Sequence, residues 1–183
     1  MGKLILITGG ARSGKSTYGE KLAKEMGKNI TYIATAIPFD DGMKDRIKKH
    51  RASRPPWPTI EKYKEFEKLA EHPDFISADL VLLDCMTVLI TNEMMDTGLD
   101  FDQVSFDQID EMEKDIQKQI KYILDSRGDK NLIMVGNELG MGLVPPYRIG
   151  RIFRDIAGRV NQLVAAQADE VYFCVSGIPM KIK

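Results

Sequence analysis

Cysteine is scarce in this chain of 183 residues, which has only Cys85 and Cys174. Neither lies in a CxxC or Cys/His cluster, which argues against both a disulfide framework and a structural zinc site. The same cysteine usage favours a reducing compartment, and we predict a cytoplasmic protein. Histidine is equally rare, so any imidazole chemistry falls on His50 or His72.

The chain also lacks an excess of charge of one sign, since 26 Lys+Arg oppose 27 Asp+Glu. Such a balance lacks the electrostatic footprint of a protein that binds nucleic acid or an anionic membrane surface. Long apolar runs are missing too: residues 4–7 are too few for a signal peptide or a spanning helix. We therefore predict no nucleic-acid partner and no stable membrane anchoring.

Short apolar, β-branched runs predict five strands, at residues 4–8, 30–35, 80–84, 132–136 and 171–175. Nearly continuous apolar strands with helical segments between them are typical of a parallel sheet covered on both faces. The length and the 43% hydrophobic content suit one compact domain, residues 1–183. The predicted fold class is α/β, with a mostly parallel sheet and helices on both faces.

Apolar residues at helical spacing predict the main helices. The first ends at Gly27, which we expect in the left-handed conformation of a C-terminal cap. Ser105 and Gln108 have the spacing of a capping box at the start of a second helix, which Gly128 closes. A third covers residues 149–164.

The strongest motif is GGARSGKS at residues 9–16, which matches the phosphate-binding pattern GxxxxGK[ST] in full. Backbone N–H groups of such a loop face phosphate oxygens, and the following helix adds the positive end of its dipole. We predict that Lys15 reaches the β- and γ-phosphates from a solvent-filled loop and that the Ser16 hydroxyl binds Mg²⁺. The predicted nucleotide-binding residues here are Gly9, Gly10, Ala11, Arg12, Ser13, Gly14, Lys15, Ser16 and Thr17.

Acidic and amide residues follow two other predicted strands. Asp84 is the candidate second metal ligand, and its alternative role is to cap the segment 86–95. Thr87 stands where a switch GTPase has glycine, and no NKxD motif is present, so a signalling GTPase is disfavoured. Asn137 and Glu138 could orient a substrate hydroxyl or a metal-bound water, or Glu138 could cap a turn.

The two histidines have different surroundings. His72 precedes Pro73 in a polar connection and is expected at the surface. His50 lies in a basic segment, residues 46–54, where nearby positive charge would lower its pKa from the reference of about 6.5 and leave a neutral, nucleophilic imidazole. Spacing alone still favours a solvated basic helix with an incidental histidine.

The chain as a whole resembles the bifunctional adenosylcobinamide kinase/adenosylcobinamide-phosphate guanylyltransferases of cobalamin biosynthesis. The most specific similarities are the basic segment around His50 and the Gly-Arg-x-Phe-Arg-Asp stretch at residues 150–155. Further similarities are at residues 7–16, 32–36, 83–85, 142–145 and 177–179, and at Trp57, Thr59, Glu61, Asn92, Asn137, Glu138, Asn161, Gln162, Ala168 and Asp169.

The resemblance implies a RecA-like P-loop fold and two reactions. ATP or GTP would phosphorylate adenosylcobinamide, and His50 would then carry GMP from GTP to adenosylcobinamide phosphate, giving adenosylcobinamide-GDP. Mg²⁺ would accompany the nucleotide, and the protein would be a homo-oligomer, a trimer by family analogy. Further nucleotide-binding residues implied by the family are Ala34, Thr35, Ala36, Arg51, Ala52, Ser53, Arg54, Glu61 and Asp84.

Three positions depart from the family pattern: Gly42, where glutamate is frequent; Val88, where tryptophan is common; and Gly136, where serine is usual. None removes a proposed catalytic group. They leave open whether substrate fit or the kinase reaction is altered. One alternative is a P-loop small-molecule kinase without guanylyltransferase activity, and another is a non-catalytic, nucleotide-dependent regulatory module.

Overall fold

A computed structural model describes residues 2–38, 41–42, 44–45, 48, 51, 54–142 and 144–183. Within these ranges one sheet of seven strands has the order β3-β2-β4-β5-β1-β6-β7. The strands are β1 (Leu4–Gly9), β2 (Ile30–Ala34), β3 (Thr59–Glu61), β4 (Leu80–Asp84), β5 (Asn131–Asn137), β6 (Glu170–Val175) and β7 (Ile178–Lys181). All neighbours are parallel except β6 and β7, which are antiparallel.

The five predicted strands are present, and two more were missed. β3 is only three residues long and directly follows Pro58. β7 contains Pro179, which an edge strand tolerates because one side of its backbone makes no ladder bonds. Ser176 and Gly177 join β6 to β7 with φ of 52° and 83°, as in a two-residue hairpin turn.

Helices cover both faces of the sheet, which confirms the α/β prediction. The described helices are α1 (Lys15–Met26), α2 (Pro73–Ser77), α3 (Met86–Asp96), α4 (Phe106–Ser126) and α5 (Arg148–Gln167), with a 3₁₀ helix at Phe66–Glu71. α1 packs on one face, and α3, α4 and α5 pack on the other. None of these helices has the length and the apolar character needed to span a membrane.

Local signals predicted some helix ends and not others. Ser105 and Gln108 form the expected capping box of α4, and Gly128 follows that helix with φ of 54°. The prediction for Gly27 is wrong, because its backbone is extended, with φ of −111°. A Cβ at Gly27 would lie 2.8 Å from the Leu80 Cβ, so close packing against β4 is the physical reason for this glycine.

His72 is not a plain surface residue. It is half-buried and occupies the N-cap position of α2, where its Nδ1 accepts a hydrogen bond from the Asp74 N–H at 3.2 Å. Its role is therefore to begin a short helix.

One acidic side chain on α3 lies in an unfavourable environment. The Glu93 Oε1 atom is buried and has no hydrogen-bond partner in the described part of the chain. Burial raises the pKa of Glu93 to about 7, with repulsion from Asp96, Asp115 and Glu65 adding to the shift and Lys64 opposing it. The folded chain therefore binds this proton more tightly than the unfolded chain does.

We predict that Glu93→Gln stabilises the protein at alkaline pH. Stability from this raised pKa is fully present below the ordinary value of 4.5 and is lost as pH rises through about 7. Allowing for solvent screening of a half-buried group, the gain above pH 7.5 should be about 1–2 kcal/mol, shrinking towards zero below pH 4.5. Urea unfolding across this pH range measures it. The control is Glu111→Gln, at an exposed position of α4, and an equal gain there would contradict the prediction.

Candidate active site

The segment between β1 and α1, residues 9–16, folds back on itself as the motif predicts. Gly9, Arg12 and Gly14 have φ of 150°, 56° and 91°. Left-handed residues within a turn direct successive N–H groups into one concavity that suits an anion. Gly14 is the N-cap of α1. Because glycine has no side chain, no capping side chain occupies the first N–H groups of this helix. The loop therefore offers backbone donors and the positive end of a helix dipole at one place.

Lys15 lies inside this loop rather than in solvent. Its side chain is only 7% exposed, and its Nζ donates to the Gly10 carbonyl at 2.6 Å and to the Ser13 Oγ at 3.4 Å. The prediction of a solvent-filled loop around Lys15 is thus wrong. Burial lowers the pKa of Lys15, while the nearby groups of Cys85 and Asp84 oppose that shift.

Asp84 ends β4, on the sheet face that α1 covers. Burial, with the negative charge of the nearby Asp84 adding to it, raises the pKa of Tyr32. The N-cap of α3 is Cys85, without a side-chain capping bond, so Asp84 does not occupy the capping position that its alternative role requires. Asp84 thus lies at the carboxyl edge of the sheet, with Tyr32 nearby.

The donor set here fits Mg²⁺. Ser16 offers a hydroxyl oxygen and Asp84 a carboxylate oxygen, which are the hard ligands that this ion takes in P-loop proteins together with water and nucleotide phosphate. Within the described ranges there is no group of three or more His, Cys, Asp or Glu side chains that could hold a metal. A nucleotide-borne Mg²⁺ needs few protein ligands, because phosphate oxygens and water complete its coordination.

A buried polar network holds the peptide that follows Asp84. The Thr35 hydroxyl donates to the Cys85 carbonyl at 2.8 Å and accepts from the Cys85 N–H at 3.0 Å. The Asn92 Nδ2 donates to the Thr35 carbonyl at 2.7 Å. Thr35 is only 1% exposed. Its side chain therefore holds the Cys85 backbone, which directly follows Asp84 in the chain.

A cavity of about 350 Å³ opens beside the carboxyl ends of β2 and β3. Such a volume is within the range of small-molecule sites. The Arg54 guanidinium lies 3.8 Å from the centre of the Tyr32 ring, and its Nη2 donates to the Thr59 Oγ1 at 2.8 Å. The residues around the cavity are Tyr32, Ala34, Ala36, Pro38, Lys44, Lys48, Arg51, Arg54 and Glu61.

The structure thus divides the predicted nucleotide residues into two groups. One comprises the loop 9–17 and Asp84, and the other lines the cavity, where Arg51 forms an ion pair with Glu61 at 3.1 Å. Thr35 belongs to neither group, because it is buried and does not line the cavity. His50, Ala52 and Ser53 lie outside the described residues. The sequence analysis assigned no role to Tyr32. Because Tyr32 and Ala34 are two residues apart in β2, their side chains share one face of the sheet.

The residues at the carboxyl end of β5 and directly after it have mainly structural contacts. The Glu138 Oε1 accepts from the Gly140 N–H at 2.6 Å, which confirms the turn-capping interpretation. The Asn137 carbonyl accepts from the Asn161 Nδ2 at 3.0 Å. A Cβ at Gly136 would lie 2.9 Å from the Asn161 Oδ1 and 2.8 Å from the Met86 Cε, so the space for a family serine is occupied in this chain.

Comparison with known proteins now identifies the family. Residues 5–182 match the cobinamide kinase / cobinamide phosphate guanyltransferase family. The chain belongs to this family. The resemblance found in the sequence is therefore confirmed over nearly the whole chain, and the family description names two transfer reactions.

Individual relatives agree with this membership. The bifunctional adenosylcobalamin biosynthesis protein CobU of Escherichia coli K12 is 44% identical, covering 98% of this chain and 99% of that protein. CobU of Salmonella typhimurium LT2 is 43% identical over the same shares, 98% and 99%. CobP of Pseudomonas aeruginosa is 36% identical, over 97% of this chain and 96% of that protein.

A solved structure supports the fold alone. An ATPase from the type III secretion system of pathogenic bacteria superposes with a TM-score of 0.56 at 12% identity over 94% of this chain. This chain spans about half of that ATPase, 51%. With the parallel sheet and the GxxxxGK[ST] loop, the likeness confirms the P-loop NTPase fold.

We predict that Thr35→Val destabilises the protein although it keeps the shape of the side chain. The substitution leaves the part-buried Cys85 N–H without a partner, at a cost of about 1–3 kcal/mol, whereas the Cys85 carbonyl keeps its hydrogen bond from the Leu89 N–H. Thr35→Ser keeps the hydroxyl and should recover most of the loss. Chemical unfolding of the two variants measures the difference, and equal stability of the valine and serine variants would show that the network contributes nothing.

Proposed function

We propose that this protein is a bifunctional transferase of adenosylcobalamin nucleotide-loop assembly. It phosphorylates adenosylcobinamide with ATP or GTP and then converts adenosylcobinamide phosphate to adenosylcobinamide-GDP with GTP. Family membership supports both reactions. The observation that carries the proposal is that a complete phosphate loop and a separate basic cavity lie at the same edge of one sheet.

The kinase reaction belongs to the phosphate loop. Backbone N–H groups of residues 9–17 and the Lys15 ammonium bind the β- and γ-phosphates, and Ser16 and Asp84 hold Mg²⁺. The ion, when bound, neutralises charge on the phosphate oxygens. The substrate hydroxyl attacks the γ-phosphorus and loses its proton to solvent, the bond from the γ-phosphorus to the bridging oxygen breaks, and the nucleoside diphosphate leaves with that oxygen. Because this chemistry depends on position and charge, the buried Lys15 is its main catalytic group.

The guanylyl transfer belongs to the cavity. In the first step a neutral His50 nitrogen attacks the α-phosphorus of GTP, pyrophosphate leaves, and a phosphoramidate forms. In the second step a phosphate oxygen of adenosylcobinamide phosphate attacks the same phosphorus, and the bond to the imidazole breaks. Lys48 and Arg51 lie within two residues of His50 in the sequence and line the cavity with Lys44 and Arg54. These cations favour a polyphosphate and a neutral histidine. Ala34, Ala36 and Glu61 complete the proposed guanine-nucleotide site, while Ala52 and Ser53 keep the roles implied by the family.

The cavity distinguishes this proposal from its alternatives. A kinase without guanylyltransferase activity, or a regulatory module, has no evident need for a second basic cavity that two intervening strands separate from the phosphate loop. GTP labelled at the α-phosphate separates them, because only the transferase retains label on the protein. Nucleotide turnover that depends on adding a corrinoid separates an enzyme from a regulatory module. A single domain, a homotrimer and a cytoplasmic location remain predictions.

We predict that Lys15→Ala removes most kinase activity. Loss of one well-placed cation raises the transition-state free energy by roughly 3–5 kcal/mol, by analogy with loss of an oxyanion donor. Phosphorylation of adenosylcobinamide under saturating ATP measures it. The control is Lys24→Ala, an exposed lysine in the last turn of the same helix. A Lys15→Ala rate close to that of the Lys24→Ala control would refute the role of the phosphate loop.

We predict that His50→Ala abolishes covalent labelling by GTP and GMP transfer, yet leaves kinase activity measurable. The wild-type adduct should be labile in acid and stable in alkali, as a phosphoramidate is, and should decrease as pH falls through the pKa of the histidine. Denaturing gels after incubation with the labelled GTP detect it. His72→Ala is the matched control, and an adduct that persists in the His50→Ala protein would assign the role elsewhere.

A further inference from the structure

The turn between β6 and β7 is in direct contact with the phosphate loop. The Gly177 N–H donates a hydrogen bond to the Ser13 carbonyl at 3.0 Å. One residue further along, a Cβ at Gly14 would lie 3.0 Å from the Gly177 Cα. The other end of the loop also touches β6, because a Cβ at Gly9 would overlap the Cys174 carbonyl oxygen. The hairpin therefore closes against the loop at both ends.

This hydrogen bond fixes the direction of a backbone N–H group that can bind phosphate. A trans peptide unit is planar, and its C=O and N–H point in opposite directions. The Ser13 C=O and the Gly14 N–H belong to the same peptide unit. Since Gly177 holds the Ser13 carbonyl outward, the Gly14 N–H is turned away from the hairpin and towards the concave side of the loop.

The backbone conformation explains why the contact needs glycine on both sides, and packing adds a second reason at Gly14 alone. Gly14 has φ of 91° and Gly177 has φ of 83°, conformations that disfavour any L side chain. A side chain at Gly14 would in addition meet Gly177. By contrast, a Cβ at Gly177 would meet nothing within 4 Å, so a substitution there acts through the backbone alone.

We propose that Gly177 is a positioning residue for nucleotide phosphate: its N–H anchors the Ser13 carbonyl and thereby aims the Gly14 N–H at the phosphate. The inference rests on the proposed binding of nucleotide by residues 9–17. It assigns a role in the kinase reaction to the β6–β7 turn, which lies outside the phosphate-binding motif itself.

A genetic test compares two glycines of the same kind. Gly177→Ala strains the turn and displaces its N–H, whereas Gly128→Ala introduces a comparable strain, at φ of 54° and with open space, beyond the end of α4. We expect similar shifts in the urea midpoint for both variants. Only Gly177→Ala should raise the Kd for ATP, by about tenfold, the effect of one lost charge-assisted hydrogen bond.

A chemical test removes the single hydrogen. Cys174 allows a synthetic peptide of residues 174–183 to be ligated to a thioester of residues 1–173, giving the full chain. Glycolic acid at position 177 replaces the N–H with an ester oxygen and keeps the glycine-like backbone. The control ester replaces the Ile182 N–H, which donates to the Val171 carbonyl at 2.8 Å and makes no contact with the loop.

We expect the ester at 177 to raise both the ATP Kd and the KM for ATP in the kinase reaction about tenfold relative to the all-amide ligated chain, and the ester at 182 to leave both unchanged. Equal ATP affinity of the 177 ester and the all-amide chain would overturn the inference while leaving the proposed function intact. Failure of the all-amide chain and of the wild type to bind ATP would instead refute the phosphate-loop function. Equal increases of the ATP Kd and KM in both esters would show that Gly177 has only a general stabilising role.

Discussion

The pairing register across the parallel sheet is the constraint on which the candidate site depends. One row of paired residues runs across five strands through Glu61, Ala34, Asp84, Val135 and Ile7. Because side chains alternate along every strand, these residues share the face that α1 covers. A slip of one residue in β4 would turn Asp84 to the opposite face, away from Lys15.

Tyr32 connects the two halves of this row. Its ring lies beneath Arg54 at the cavity, and the charge of Asp84 helps to raise the pKa of its hydroxyl. With a strand spacing near 4.8 Å, the three steps from β2 to β1 separate the cavity from the phosphate loop by roughly 14 Å. A single rigid aromatic side chain thus lies against one cation at the cavity and near one carboxylate on the side of the phosphate loop.

The sequence allowed the prediction of features that are local or continuous along the chain. The GxxxxGK[ST] loop, the five buried strands and the capping box each depend on residues within a few positions of one another. β3 and β7 were missed because proline and short length hid their alternation. Gly27 was misinterpreted because a glycine that avoids a clash and a glycine that adopts positive φ look alike in sequence. The roles of Tyr32 and Gly177 arise only from contacts between distant segments, which no local pattern contains.

Overall neutrality and a basic site are compatible because electrostatic fields in salt are local. The chain has a formal net charge of -1, yet Lys44, Lys48, Arg51 and Arg54 face Glu61 around one cavity. At physiological ionic strength screening acts over about 8 Å, so charges on the rest of the surface hardly weaken the attraction of this cluster for a polyphosphate. A nucleic-acid backbone would require such charges along an extended face. Concentrated in a concave cavity of about 350 Å³, they favour a small anionic ligand instead.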